Sequence, residues 1–297
     1  MVKTLQVKLM TALMAFVVAM SLMLPSVSAE DGVNWENSVI EVTGMGVAPP
    51  NAINPLQGQM LARRAAVADA YRMIAELIKG VNVDSETTVE MMMTTSDVIR
   101  TRVQATIKGA VIVSEQAING GQGYQVTMRV SLFGVSGSLA SAVIEPPKVV
   151  EPLPAPVPDV IPSVPAESLS GDTTVSVTID VKDKKKAIGG YTGVIVDCRG
   201  LGLKPVMSPV IKNEIGTPVY GHKNLNPDMV IANGMADYAR DMTGASRAGS
   251  NPLIVKAIRV SGACQGDPVI STADANRILI ENGSSNFLNE TKVVFLR

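Results

Sequence analysis

Histidine occurs once in this chain, at His222, cysteine twice, at Cys198 and Cys264, and tryptophan once, at Trp35. His222 follows Gly221 in what reads as an exposed turn, far in sequence from either cysteine. No metal-ligand spacing exists, and a histidine-dependent mechanism would rest on one side chain. Aromatic residues make up 3% of the chain, so Val, Ile, Leu, Met and Ala must build the cores, and a ring platform for stacking bases or sugars is not expected. Clustered positive charge is scarce as well. The one dense run, from Lys182 to Lys186, is interrupted by Asp183 and reads as a solvated turn, so counterion release onto nucleic acid has no basis here.

Long apolar runs are missing except at the start. Lys3 and Lys8 supply a positive flank, residues 10–24 are nearly all apolar, Pro25 breaks the run, and Val27-Ser28-Ala29 places small residues at the positions a signal peptidase reads. We therefore expect export, with cleavage after Ala29. The run is shorter than the roughly 20 residues of a membrane-spanning helix, and no later segment approaches that length. No cysteine stands at the cut, so attachment through an acylated N-terminal cysteine is not expected. Removing residues 1–29 takes Lys3 and Lys8 from 26 basic side chains and nothing from 27 acidic ones, a formal charge of −3.

The remainder suffices for two ordinary domains. Residues 38–47 alternate as a strand, with Val39, Glu41 and Thr43 on one face and Ile40 and Val42 on the other. Gly44, Gly46, Pro49 and Pro50 stop it, and Asn54-Pro55 opens a helix with a side-chain cap and a proline at the first helical position. Leu56, Met60, Val67, Tyr71, Ile74 and Ile78 predict its buried stripe, Arg63, Glu76 and Lys79 its wet side, and Gly80 a left-handed exit. Residues 81–93 fit either a strand or a turn. Ser96 caps a second helix that buries Ile99, Val103 and Ile107, and residues 110–118 and 124–133 read as a hairpin around the glycine-rich stretch 119–123.

Between residues 145 and 169 eight prolines punctuate valines and small residues, which predicts an extended spacer at about 3.1 Å per residue, able to hold two domains up to ~60 Å apart. Beyond it, strands are expected at 174–181, 191–198, 206–211, 218–220, 253–260 and 292–296, with a Ser271-capped helix burying Ala275, Ile278 and Leu279. The fold class is thus α+β: residues 1–29 a signal peptide, 30–144 one domain, 145–169 a linker and 170–297 a second domain. Each domain is expected to be an antiparallel or mixed sheet with helices on one face. In an oxidising compartment Cys198 and Cys264 are expected to form one disulfide, contributing about 4 kcal/mol in the chain-entropy model; the alternative is two buried free thiols.

No reactive constellation emerges. Gly200-Leu201-Gly202 follows a strand but lacks the third glycine and the ensuing helix of a phosphate-cradling loop. Asp237, Arg240 and Asp241 would share one face of a short helix, and Asp267 and Asp274 would approach each other, but both groups read as solvated surface or ion pairs. Asn282-Gly283-Ser284 and Asn289-Glu290-Thr291 fit the glycosylation triplet, a pattern frequent by chance.

Residues 41–47, Glu-Val-Thr-Gly-Met-Gly-Val, the alanine-rich helix with Ala62-Arg63-Arg64-Ala65-Ala66 and Asp69-Ala70-Tyr71, and the hairpin from Gly109-Ala110 to Tyr124-Gln125-Val126 resemble the LPP-twenty (LPP20) lipoprotein family. Its relatives include flagellum-associated envelope proteins of the FlgP and FlgT kind. Residues 191–205 and 251–257 are similar to segments that accompany that domain in other exported proteins. The resemblance implies an envelope-associated, non-enzymatic protein without cofactors. Its partners would be envelope or flagellar proteins, or further copies of itself. Periplasmic small-ligand or cell-wall binding by the second domain is the alternative, and an enzyme is not expected.

Overall fold

A glycine-containing strand laid under an alanine-rich helix organises the first part of the molecule. In the computed structural model, which describes residues 32–147, 149–157 and 186–297, β1 (Gly32–Asn34) and β2 (Val39–Val47) precede helix α1 (Pro55–Lys79). Two short helices, α2 (Val89–Thr95) and α3 (Asp97–Lys108), lead into the hairpin β3 (Val111–Ile118) and β4 (Gly123–Ser131), and α4 (Leu139–Val143) closes the segment. The four strands form one antiparallel sheet in the order β1-β2-β4-β3. Ile40, Val42, Gly44 and Gly46 of β2 and Val126, Met128 and Val130 of β4 face the helices.

As expected, Asn54 caps α1 by accepting the Gln57 N–H, and Ser96 caps α3 by accepting the Ile99 N–H. Two expectations for α1 fail. Its buried stripe is Gly58, Ala62, Ala66, Ala70, Ile74 and Ile78, whereas Leu56 and Met60 are 68% and 54% exposed. The cause is distance: a Cβ on Gly44 or Gly46 would fall onto backbone atoms of Ala62, Ala66 and Ala70, so helix and sheet meet too closely for larger side chains there. Gly80, expected to be left-handed, keeps right-handed helical angles. Of residues 81–93, left open between strand and turn, those from Val89 onward belong to the helix α2, capped by Thr88.

The second part begins with β5 (Gly193–Asp197), followed by β6 (Ile211–Asn213), β7 (Pro218–Tyr220), α5 (Pro227–Asn233), β8 (Asp237–Ala239), β9 (Pro252–Lys256), β10 (Arg259–Ser261), β11 (Asp267–Ile270), α6 (Thr272–Ser285) and β12 (Val293–Leu296). Ser271 caps α6, and Ala275 and Ile278 are buried. Two sheets result. One, β10-β11-β6-β7, is mixed; the other, β8-β12-β5-β9, is parallel throughout, which corrects the expectation of an antiparallel or mixed sheet. Parallel partners require long crossovers, supplied here by the stretches separating β5, β8, β9 and β12. Val293–Leu296 is buried at every position, the mark of a strand covered on both faces. The strand expected at 206–211 is loop up to Ile211, and that at 253–260 is divided between β9 and β10. The expected signal peptide and the strand at 174–181 lie outside the described residues.

The described halves pack against each other, so the ~60 Å separation expected from the proline content is not found. From Gly32 onward the described residues form one compact unit, and a single hydrophobic cluster joins Val130, Leu132 and Leu139 to Met235 and Tyr238. Trp35 meets Tyr238 edge-on at 5.7 Å between ring centroids, and Tyr238 lies 5.5 Å from Phe295. Residues of the proline-rich stretch dock rather than span. The Glu151 N–H donates to Lys223 O, and Asn276 grips Val157 through both its N–H and its carbonyl, at 2.8 and 2.7 Å. Proline removes donors only at its own positions, so Glu151 and Val157 remain free to bond.

Candidate protein-contact site

Helices cover one face of the first sheet, and the other face presents ladders of paired side chains. Arg129 reaches across to Glu41 at 2.6 Å, the Thr43 and Thr127 hydroxyls meet at 3.1 Å, and Gln116 donates to Gln125 at 3.1 Å. These rows follow the register of β2, β4 and β3, which sets Glu41 beside Arg129, Thr43 beside Thr127 and Gln125 beside Gln116. At one end Met45 and Val47 stand exposed. One edge of this sheet is β3, exposed along nearly its whole length, and Arg63 of α1 pairs with its Glu115 at 2.8 Å. A surface of paired polar rows with exposed Met45 and Val47 at one end suits protein contact.

The seam between the halves is built on Asp267, which is 2% exposed. Its carboxylate accepts from Ser85 Oγ at 2.7 Å, Lys212 Nζ at 2.8 Å and the Val210 N–H at 3.0 Å. Main-chain bonds from Met207 to Asn82, Ser208 to Val83 and Cys264 to Ser85 continue the seam. Ser85 thus enters from the first half into a pocket of the second. The sequence reading left Asp267 and Asp274 as solvated surface or as an ion pair; Asp267 is in an ion pair, with Lys212, while Asp274 is engaged with Ser271 in the cap of α6. Only the buried run of β11, Asp-Pro-Val-Ile, hinted that Asp267 enters the interior.

The other residues singled out in the sequence serve local structure. Cys198 and Cys264 are free thiols, in place of the expected bridge: Cys198 is buried at the end of β5 with its sulfur toward Val196 O, and Cys264 points to Asp84 O. Burial pushes the Cys198 thiol up to about 12, which keeps it protonated and unreactive. Gly200 and Gly202 both take positive φ in a turn that leads into an extended loop. Asp237, Arg240 and Asp241 are not on a helix. Asp237 lies in β8 and pairs with Arg247 at 2.6 Å, while Asp241 accepts from Thr243 and Gly244 in the following turn. Asn282 is buried and accepts the Leu288 N–H, which leaves its side chain inaccessible to a transferase. Among the described residues no three His, Cys, Asp or Glu side chains converge as a metal set would.

A polar depression lined by Asn233, Asp237, Arg247, Glu290 and Thr291 is the candidate ligand site of the second half. The Arg247 guanidinium donates there to Thr291 O and Oγ1, Asn233 O, Asp237 and Gly234 O. A guanidinium has five N–H donors, and these five bonds use them all. Arg247 therefore ties β8 and the approach to β12 together and offers nothing to an anionic ligand.

His222 lies in the helical turn at 222–224, half-buried where an exposed position was expected. Burial, then the charge of Lys223, holds its pKa below 6.5, against the opposing pull of Asp84 and Glu151. With the folded pKa below the unfolded value, the unfolded chain takes up the proton first, so stability is full at higher pH and is lost as the pH falls through about 6.5. His222→Gln should flatten the slope of melting temperature against pH between about pH 7 and pH 5. An unchanged slope by scanning calorimetry would refute this assignment.

No helix of the described residues is long and apolar enough to cross a membrane. None of the curated proteins compared gives a match to the chain. Two family models do match, and they fall on the two halves: residues 193–297 match the second domain of Treponema pallidum Tp0624, and residues 42–130 match the LPP20 lipoprotein model. The second match runs from the middle of β2 to the end of β4, so it takes in the glycine–alanine contact, both short helices and the hairpin. This chain therefore carries an LPP20 lipoprotein domain in its N-terminal half, followed by a C-terminal domain of the Tp0624 second-domain type.

Proposed function

We propose that this protein is an exported, envelope-associated structural or assembly factor that works by protein–protein contact and performs no catalysis. The observation that carries the reading is the LPP20 lipoprotein domain, whose family name places relatives in the envelope, combined with an open sheet face and edge on that same domain. The positive flank, apolar run and small residues before Glu30 agree with export and removal of residues 1–29. The second domain braces the first through Asp267 and Tyr238, and leaves the open face of the first sheet for partners. A flagellar structure is one setting in which such a factor would serve. The ligand-binding alternative draws no support from the depression at Arg247, whose donors are consumed internally.

Mild crosslinking of the tagged protein in cells, with fractionation and mass spectrometry, tests the reading. Recovery of envelope proteins attached through residues of β2, β3 or β4 is the expected result. A protein that fractionates with the cytoplasm, or one crosslinked to no envelope component, would overturn it.

A further inference from the structure

We infer that the strip of the second half running from the 222–224 turn to Asn276 of α6 is a docking track for an extended, proline-alternating segment of a partner protein, and that residues 151–157 are its occupant in cis. The partner rests on the assembly reading above; the track rests on its own contacts.

Residues 151–157, Glu-Pro-Leu-Pro-Ala-Pro-Val, belong to no helix or strand, yet they are held at both ends. The Glu151 N–H donates to Lys223 O at 2.8 Å, and Asn224 Nδ2 donates to Pro152 O at 3.0 Å. At the far end Asn276 closes on Val157 alone, its carbonyl accepting the N–H and its amide donating to the C=O. All four bonds go to main-chain atoms of the segment. One side chain is read as well: Leu153, partly buried, packs against the hydrophobic core.

Such contacts select for spacing and an extended backbone, with an apolar residue at the third position, and tolerate change elsewhere. Alternate prolines leave N–H groups only at the positions between them, and the two that the track uses are the first and the last of the seven residues. Prolines also hold a free segment extended, so little conformational entropy is lost on docking. Proline-rich segments commonly dock in aromatic grooves; with aromatic residues at 3% of this chain, side-chain amides take that part. The cis occupant is lightly held. Glu151, Pro152, Ala155 and Pro156 are exposed, as are Val149 and Val150 just before them. Segments with few buried contacts open at low cost, which lets a partner segment of the same chemistry take the track.

Fluorescence anisotropy with a labelled peptide of residues 150–157 and the full-length protein tests the assignment. A Leu153→Ser/Val157→Pro chain, which loosens the cis occupant and leaves the track intact, should bind the peptide about ten-fold tighter than the parent does, because its track is free. Adding Asn276→Ala should weaken that binding about ten-fold, as should a proline at the last position of the peptide. Should the double variant fail to fold by circular dichroism, Val157→Pro alone, outside every described helix and strand, carries the comparison. Absence of saturable binding to the loosened chain, or binding indifferent to Asn276→Ala, would overturn the track. A parent chain that sediments at twice the subunit mass, and returns to the subunit mass on Asn276→Ala, would give the track to a second copy and overturn the separate partner. Envelope proteins crosslinked to a chain that takes up no peptide would remove the track and leave the assembly reading standing, whereas peptide binding with no envelope protein recovered would do the reverse.

Discussion

Replacing Gly44 or Gly46 by valine is expected to leave the protein unfolded or aggregated on expression, and replacement by alanine to cost at least about 3 kcal/mol. A Cβ at Gly44 would meet Ala66 O and Ala70 N, and one at Gly46 would meet Ala62 O and Ala66 N. These are backbone atoms of a 25-residue helix, so no side chain can swing aside and the whole of α1 would have to lift from the sheet. Lifting it would uncouple Ala62, Ala66, Ala70 and Ile74 from Ile40 and Val42, a loss comparable to the 5–15 kcal/mol of total stability typical of a domain, hence the expectation for valine. Gly120→Ala is the contrasting control. Gly120 takes φ +68° in the β3–β4 turn with open space around it, so only backbone strain of about 1 kcal/mol is expected. Urea unfolding of the three alanine variants checks the ranking. A Gly46→Ala protein as stable as Gly120→Ala would show that the helix does not seat on the glycines.

Removal of the Asp267 carboxylate should have a large effect on stability. Asp267→Ala leaves Ser85 Oγ, the Val210 N–H and Lys212 Nζ without their shared acceptor at a site that is almost fully buried. Breaking one partner of a buried pair costs about 3–5 kcal/mol, because the charge left behind is uncompensated. Ser85→Ala removes one donor and keeps the ion pair, so about 1 kcal/mol is expected. The two changes should also differ in where they act. Asp267→Ala loosens β6, β11 and the 82–85 segment together, so hydrogen exchange should quicken at Asn82 to Ser85 as well as at Val210 and Lys212. Stability of Asp267→Ala within about 1 kcal/mol of the parent, or exchange confined to β11, would refute its role as the pin between the halves.

The comparison of sequence with structure divides along the range of the interactions involved. Local signals were legible: Asn54-Pro55, Ser96 and Ser271 each cap a helix as read, Pro218–Tyr220 is a strand, and the hairpin turns at the glycine-rich stretch expected. Long-range facts were not. The buried stripe of α1 was assigned to its large apolar residues, since hydrophobicity alone favours Leu56 and Met60 over Ala62 and Ala66. Close approach of two backbones, a property of the pair and not of the helix, reverses that order. The small helix α5, capped by Asn226 with Pro227 at its first position, carries the same signature as α1 but is too short for periodicity to reveal. Parallel pairing of β5, β8, β9 and β12 leaves no turn signal, because the strands it joins are far apart along the chain.

What the sequence by itself determined is the α+β class, the caps and turns that begin and end its elements, and the LPP20 resemblance carried by the glycines of β2 and the alanines of α1. These are properties of neighbouring residues, set by steric limits and hydrogen bonds within a few positions. Tertiary structure alone decided that the halves lock together at Asp267 and Tyr238, that residues 151–157 of the proline-rich stretch dock on the second half, and that β3 and the Leu56–Met60 face are exposed. Each of those depends on which distant surfaces exclude water from one another, and burial is a property of the assembled chain that no single segment contains.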